Sequence, residues 1–179
     1  MSEGTQPTAA DPQEFRRAMG RFATGVTVVT GWADGPVGFT CQSFVSVSLR
    51  PPLISLCADE NGRAWSQIRS AGRLCVHVLS DDQEGLCQAF GSRAGSKFDG
   101  ADWSLSEWGT PTLSGVLLRV HADITAVHPA GDHEIALAEV REIEPLADGR
   151  PLLFYRGMLG TGMHGPVPAP PSFWENGWG

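Results

Sequence analysis

The chain has 179 residues, 13 basic against 20 acidic side chains, a formal net charge of -7 and 41% apolar content, enough to fill one substantial core. Only 18% of its residues are charged, against about a quarter in an average domain, and a net negative chain without a basic stripe argues against nucleic-acid binding. No segment approaches the roughly 18 apolar residues of a membrane span and the start carries no export-signal pattern, so the expectation is a cytoplasmic protein away from membranes, its thin charge favouring burial between subunits.

Residues 1–10 are small and polar and read as a flexible N-terminus. Asp11, Pro12 and Glu14 then form a capping-box pattern for a helix whose stripe of Phe15, Ala18, Met19 and Phe22 must dock on something, with Gly25 as its end. Val26-Thr27-Val28-Val29-Thr30 reads as a strand and Asp34-Gly35 as a hairpin signal. The segment GFTCQSFVSVSL, from Gly38 to Leu49, reads as the next strand, and Pro51-Pro52 forces an extended turn after it. Further strands are expected over 53–58 and 73–79, with short helices around Ala64 to Ala71 and over 82–90.

Gly91, Gly95 and Gly100 bracket a polar loop holding Arg93 and Lys97, the only lysine of the chain. Two long strands, about 115–127 and 133–143, join through Pro129-Ala130-Gly131-Asp132, and a last strand covers 152–155. Residues 11–160 thus form one domain. The tail, 161–179, carries Pro166, Pro168, Pro170 and Pro171 before Phe173, Trp174 and Trp178. Strands dominate and the helices never alternate regularly with them, so the fold class is mainly β, an antiparallel barrel with peripheral helices.

The chain has no phosphate loop, no G-x-G-x-x-G after a strand, no H-E-x-x-H and no G-x-S-x-G. His121 and His128, seven apart, should lie on opposite faces of one strand, so no metal site is expected. Cys41, Cys57, Cys75 and Cys87 form no C-x-x-C pair and read as free thiols of a reducing compartment. The stretch from Gly38 to Leu49 carries the strongest signal. As one strand it places Thr40, Gln42, Phe44 and Ser46 on one side and Cys41, Ser43, Val45 and Val47 on the other, with polar groups on both faces. Buried hydroxyls and amides need partners, which either a ligand or neighbouring backbone would supply.

The runs FRRAMGRFATGVTVVT, PVGFTCQSFVSVSLRPPLISLC and FGSRAGSKF, the Ala130-Gly131-Asp132-His133 turn and PLLFYRG resemble the short-chain flavin reductase domain of two-component monooxygenases. The resemblance covers about residues 14–158 and implies an FMN-binding split barrel, a homodimer with flavin near the subunit interface, and reduction of FMN (or FAD) by NADH or NADPH. By that resemblance Thr40, Cys41, Gln42, Ser43 and Ser46 lie along the isoalloxazine ring and ribityl chain, and Cys57 and Ala58 pass the ring. Asn61, Gly62 and Arg63 begin a loop meeting the phosphate, and Ser92, Arg93, Lys97 and Phe98 close over it. His133 faces the nicotinamide and Arg156 helps bind the dinucleotide's phosphates.

A phosphate without a P-loop needs backbone N–H groups, hydroxyls and cations, which both glycine-bearing loops offer. Hydride transfer needs two rings held at roughly 3 to 3.5 Å and no side-chain nucleophile. The expected function is NAD(P)H:flavin oxidoreduction supplying reduced flavin to a flavin-dependent monooxygenase. Two alternatives stay open from the residues: a flavoenzyme that keeps FMN tightly and acts on an organic substrate itself, and a non-catalytic flavin- or haem-binding protein.

Overall fold

The computed structural model describes residues 11–93 and 97–161. The expectations for residues 1–10, Gly95 and the tail from 162 onward lie outside the described residues. In chain order the elements are α1 (Pro12–Met19), β1 (Thr24–Gly25), β2 (Thr27–Trp32), β3 (Pro36–Cys41), β4 (Val45–Leu49), β5 (Pro52–Asp59), α2 (Arg63–Ala71) and β6 (Arg73–Val78). Then come α3 (Glu84–Gly91), β7 (Trp103–Leu105), β8 (Pro111–Leu113), β9 (Leu118–Ala130), β10 (His133–Pro145), β11 (Leu152–Tyr155) and β12 (Met158–Thr161). No described helix is long and apolar enough to cross a membrane.

Seven strands form an antiparallel sheet in the order β3-β2-β6-β9-β10-β5-β4. Consecutive β3 and β4 stand at its two ends, so the three-residue link between them is possible only because the sheet curls and its ends meet. The Ser43 hydroxyl makes that closure. It accepts from the Cys57 N–H at 2.8 Å and donates to the Cys57 carbonyl at 3.1 Å, standing in for a ladder partner. This is where the single strand expected from Gly38 to Leu49 breaks: the chain leaves β3 after Cys41, crosses at Gln42–Phe44 and resumes on the far side of β5. The expected alternation of faces therefore does not run through to Ser46.

β2 explains the run of β-branched residues. Val26 through Thr30 are all buried, because one face of the strand fills the interior of the curled sheet and the other is covered from outside. The inner core joins Val29, Leu56, Leu74, Val76, Val120 and Ala136 with Trp65 and Ile68 of α2, which plugs it. The outer core joins Val28, Leu79, Phe90, Phe98, Leu113 and Leu152 between the sheet, α3 and the smaller β1-β11-β12 and β7-β8 sheets. Burial of this kind contributes about 1.5 to 3 kcal/mol for each large apolar side chain.

Asp11 caps α1 by accepting from the Glu14 N–H at 3.1 Å, and Pro12 opens the helix. The helix ends at Met19 with Gly20 as its cap, short of Gly25, and Phe15, Met19 and Phe22 stay exposed where docking was expected. The β9–β10 hairpin turns on Gly131-Asp132, with Gly131 at φ 73, a conformation that glycine reaches without strain. Thr125 bulges out of the β9 ladder and reverses the side-chain parity. His121 and His128 consequently share a face, contrary to the simple alternation, but seven residues of strand hold them roughly 20 Å apart.

Candidate functional site

A cleft of about 1320 Å³ runs between β3, the β5–α2 junction, the end of α3 with the loop after it, and the β9–β10 turn. It gathers Thr40, Cys41, Gln42, Ser43, Cys57, Ala58, Asn61, Gly62, Arg63, Ser92, Arg93, Lys97, Phe98 and His133. Residues distant in sequence meet here because the barrel closes on β5 and both helices end at its rim.

The cationic part is built from two loops. Gly62 is the N-cap of α2 and no side chain caps the helix, so its first-turn N–H groups remain for another acceptor. Anions favour such a terminus. Arg63, the first residue of the helix, donates from Nη2 to the Arg93 carbonyl at 3.1 Å and ties the loop before α2 to the loop after α3. Lys97 donates from Nζ to the carbonyls of Gly38 at 3.0 Å and Phe90 at 2.8 Å. Partial burial and then the nearby Arg63 charge hold the Lys97 ammonium below its ordinary pKa. Cations crowded to that degree favour the arrival of an anion.

Along the β3 wall the polar atoms have set partners. The Thr40 hydroxyl donates to the Cys87 carbonyl at 2.9 Å. Cys41 lies behind Ser43, with its sulfur 3.3 Å from the Ser43 oxygen, and burial pushes the Cys41 thiol up, which keeps it protonated and inert. Gly38 lets α3 approach closely: a Cβ there would stand 2.7 Å from a Phe90 ring carbon and 2.9 Å from the Val29 carbonyl.

His133 opens β10 opposite Asp59 of β5, and its side chain is half exposed. Its Nδ1 lies 2.8 Å from Asp132 Oδ1. That hydrogen bond, then the charge of His133, holds the Asp132 carboxyl below the usual carboxylate range. The Glu60 N–H donates to the Asp132 carbonyl at 3.2 Å, which ties the His133 turn to the loop that carries Asn61. With Nδ1 facing Asp132, Nε2 is the ring nitrogen left for a ligand.

Ser46 and Arg156 do not line the cleft. Ser46 sits exposed on β4 opposite Ile54, carried away by the crossover. Arg156 occupies the β11–β12 turn at φ 51, with its guanidinium over the Tyr155 ring. Conversely, the cleft includes residues that sequence reasoning did not single out for it: Phe39, Trp65, Gln67, Gln88, Phe154 and Leu159. The aromatics read as ordinary core positions, and β12 carried no strand signal beyond its single leucine. The apolar wall and polar rim together suit a planar, amphipathic ligand with an anionic end.

A separate polar cleft of about 310 Å³ lies beside the β7–β8 hairpin. There His121 Nε2 and oxygens of Glu142 and Glu144 stand within 4.8 Å of one another. Arg119 and His121 pair with Glu144, and the Trp108 indole N–H donates to Glu142. The carboxylate charge is thus already partnered inside the protein.

A model of the flavin reductase like domain matches residues 19–163. The chain is 45% identical over 165 residues to HsaB of Rhodococcus jostii, the reductase subunit of a flavin-dependent monooxygenase, covering 90% of this chain and 84% of that protein. The fold matches nitrilotriacetate monooxygenase component B from Mycobacterium thermoresistibile, with a TM-score of 0.82 and 38% identity over 90% of this chain and 93% of that one. It also matches the Streptomyces globisporus NADH:FAD oxidoreductase SgcE6 in complex with NAD and FAD fragments, with a TM-score of 0.80 and 33% identity over 86% of this chain and 95% of that one.

Proposed function

The chain belongs to the flavin reductase like domain family, and from that premise we propose that the cleft is where it moves a hydride from NADH or NADPH to FMN or FAD. It is an NAD(P)H-dependent flavin reductase on a split-barrel scaffold. The observation that carries the assignment to this cleft is the meeting, on one apolar-walled surface, of the uncapped α2 terminus with Arg63, Arg93 and Lys97, and of the His133 turn.

A bound flavin supplies the two-electron acceptor and a bound nicotinamide the hydride. The protein's part is positioning, since two rings in register need no side-chain nucleophile. The α2 first turn and Arg63, with Ser92, Arg93, Lys97 and Phe98 opposite them, would hold the flavin phosphate. Thr40 to Ser43, Cys57 and Ala58 border the ring, while Phe39 and Trp65 give the wall its apolar surface. His133 offers Nε2 to the nicotinamide, its ring orientation set by Asp132. The openness of the cleft to solvent suits a flavin that arrives oxidised and leaves reduced.

The acceptor of the reduced flavin is a flavin-dependent monooxygenase, the role named for the reductase subunit HsaB. Two copies of the chain form a dimer through the exposed apolar residues of α1 and β4, Phe15, Met19, Val45, Val47 and Leu49, which a lone subunit would leave in water. Light scattering on the purified protein checks the dimer, and a monomer at working concentration contradicts it. The function is tested by following oxidation of NADH and NADPH with FMN, FAD and riboflavin added in turn. Turnover that depends on added flavin is expected, and its absence at saturating flavin with both nucleotides overturns the reading.

A further inference from the structure

One half-buried carboxylate sits beside two residues of the cleft, next to His133 in sequence and bonded to Trp65. Glu134 follows His133 in β10 and its side chain is only 14% exposed. Its Oε2 accepts the Trp65 indole N–H at 2.6 Å and its Oε1 accepts from the Arg69 guanidinium at 2.5 Å. Trp65 and Arg69 stand one turn apart on the same face of α2, so a single carboxylate holds that face of the nine-residue helix from its first turn onward.

The other side of the grip is anchored in the sheet. Glu134 is paired across the ladder with Ala58 of β5 and with Pro129 of β9, inside the continuous sheet. By contrast, α2 meets the sheet through apolar contacts, including Ile68 and the edge-on packing of Trp65 against Phe39 at 6.4 Å. Such contacts are non-directional and let a short helix slide or roll by small amounts. A paired carboxylate adds direction. With Arg69 42% exposed, the ion pair adds little stability, so what the carboxylate contributes is placement.

What it places is the start of α2, with its free N–H groups and Arg63. We propose that Glu134 is a positioning residue that holds the α2 N-terminus against the phosphate of the flavin. The proposal rests on the flavin reductase reading of the cleft. It predicts a defect confined to the phosphate end of the ligand, which FMN has and riboflavin lacks.

The test compares the intact protein with Glu134→Gln and Arg69→Gln, measuring KM and kcat with FMN and with riboflavin, and flavin affinity by fluorescence quenching. Glu134→Gln should raise the KM and Kd for FMN about tenfold, the equivalent of one hydrogen bond to a charged group. The riboflavin values and both kcat values should stay within about twofold, because the apolar wall is kept. Arg69→Gln leaves the Trp65 hydrogen bond in place and should show the same FMN-selective change at smaller size. Equal changes for FMN and riboflavin, a change in kcat alone, or no change would overturn the proposal. Should Glu134→Gln fail to fold, the partly exposed Arg69→Gln variant decides it by the same comparison. If the unmodified protein quenches flavin fluorescence but oxidises no nicotinamide, the reductase reading fails while the binding comparison still judges Glu134.

Discussion

Lys97→Met keeps the aliphatic stem of the side chain and removes only the ammonium, which donates to the Gly38 and Phe90 carbonyls at 3.0 and 2.8 Å. Phe90 lies in the last turn of α3, where carbonyls lack helical partners and a cation is favoured. A hydrogen bond from a charged donor contributes about 1.5 to 3 kcal/mol. Lys97 is only partly buried, so water can replace part of what is lost, and we take the low end for each bond. That predicts a loss of about 3 kcal/mol, or a Tm lower by about 6 to 12 °C for a chain of this length. The same change releases the loop from both walls of the cleft and removes a positive charge beside Arg63. FMN should therefore bind about tenfold or more weakly, while riboflavin, without a phosphate, should be affected much less. Thermal unfolding and flavin titration of the two proteins provide the check. A Tm within about 2 °C of the unmodified protein, together with equal effects on both flavins, would refute the reasoning and leave Lys97 as a residue of a solvated loop.

Gly38→Ala should destabilise by about 1 to 3 kcal/mol, since the new methyl meets the Phe90 ring and the Val29 carbonyl and the second cannot rotate away; denaturant titration reads it, and neutral behaviour would mean α3 sits less tightly on β3. His77 is fully buried with Nε2 unpartnered, and burial lowers its pKa to about 3. The unfolded chain takes up a proton below about pH 6.5 that the folded protein refuses. Stability should thus fall as pH drops toward 3, by about 2 kcal/mol between pH 7 and pH 5. His77→Leu should flatten that slope, and an unchanged slope would assign it to other groups. His133→Asn should raise the KM for the nicotinamide severalfold with a smaller change in kcat, as expected for an orienting contact. Loss of kcat by orders of magnitude at unchanged KM would instead make His133 a proton donor in the reaction.

Much of the fold is local chemistry and could be read directly. The cap at Asp11, the buried run from Val26 to Thr30 and the two-residue turn at Gly131-Asp132 each follow from residue type alone. The strand break at Gln42–Phe44 could not be read this way, because it depends on the Ser43 hydroxyl finding the Cys57 backbone across the closed barrel. β7 and β8, three residues each, are too short to show a period, and Thr125 hides its bulge in an otherwise regular strand. Within the cleft, the resemblance pointed to the loops carrying Arg63 and carrying Arg93 and Lys97 and to the His133 turn, which the fold brings to one surface. It did not lead to Glu134 or Trp65, whose pairing across 69 positions exists only in three dimensions. Arg156 entered the site by its place in a motif, and its guanidinium lies over the Tyr155 ring outside the cleft lining.

The central claim is that this cleft brings nicotinamide and flavin together. Rapid mixing without oxygen, following the bleaching of added FMN by NADH or NADPH, tests it most directly when the protein is compared with Arg63→Glu, which reverses the charge at the start of α2. Bleaching should saturate in both ligands, and the variant should show a large loss of apparent FMN affinity. Bleaching no faster than in protein-free solution, or undiminished by the charge reversal, would contradict it.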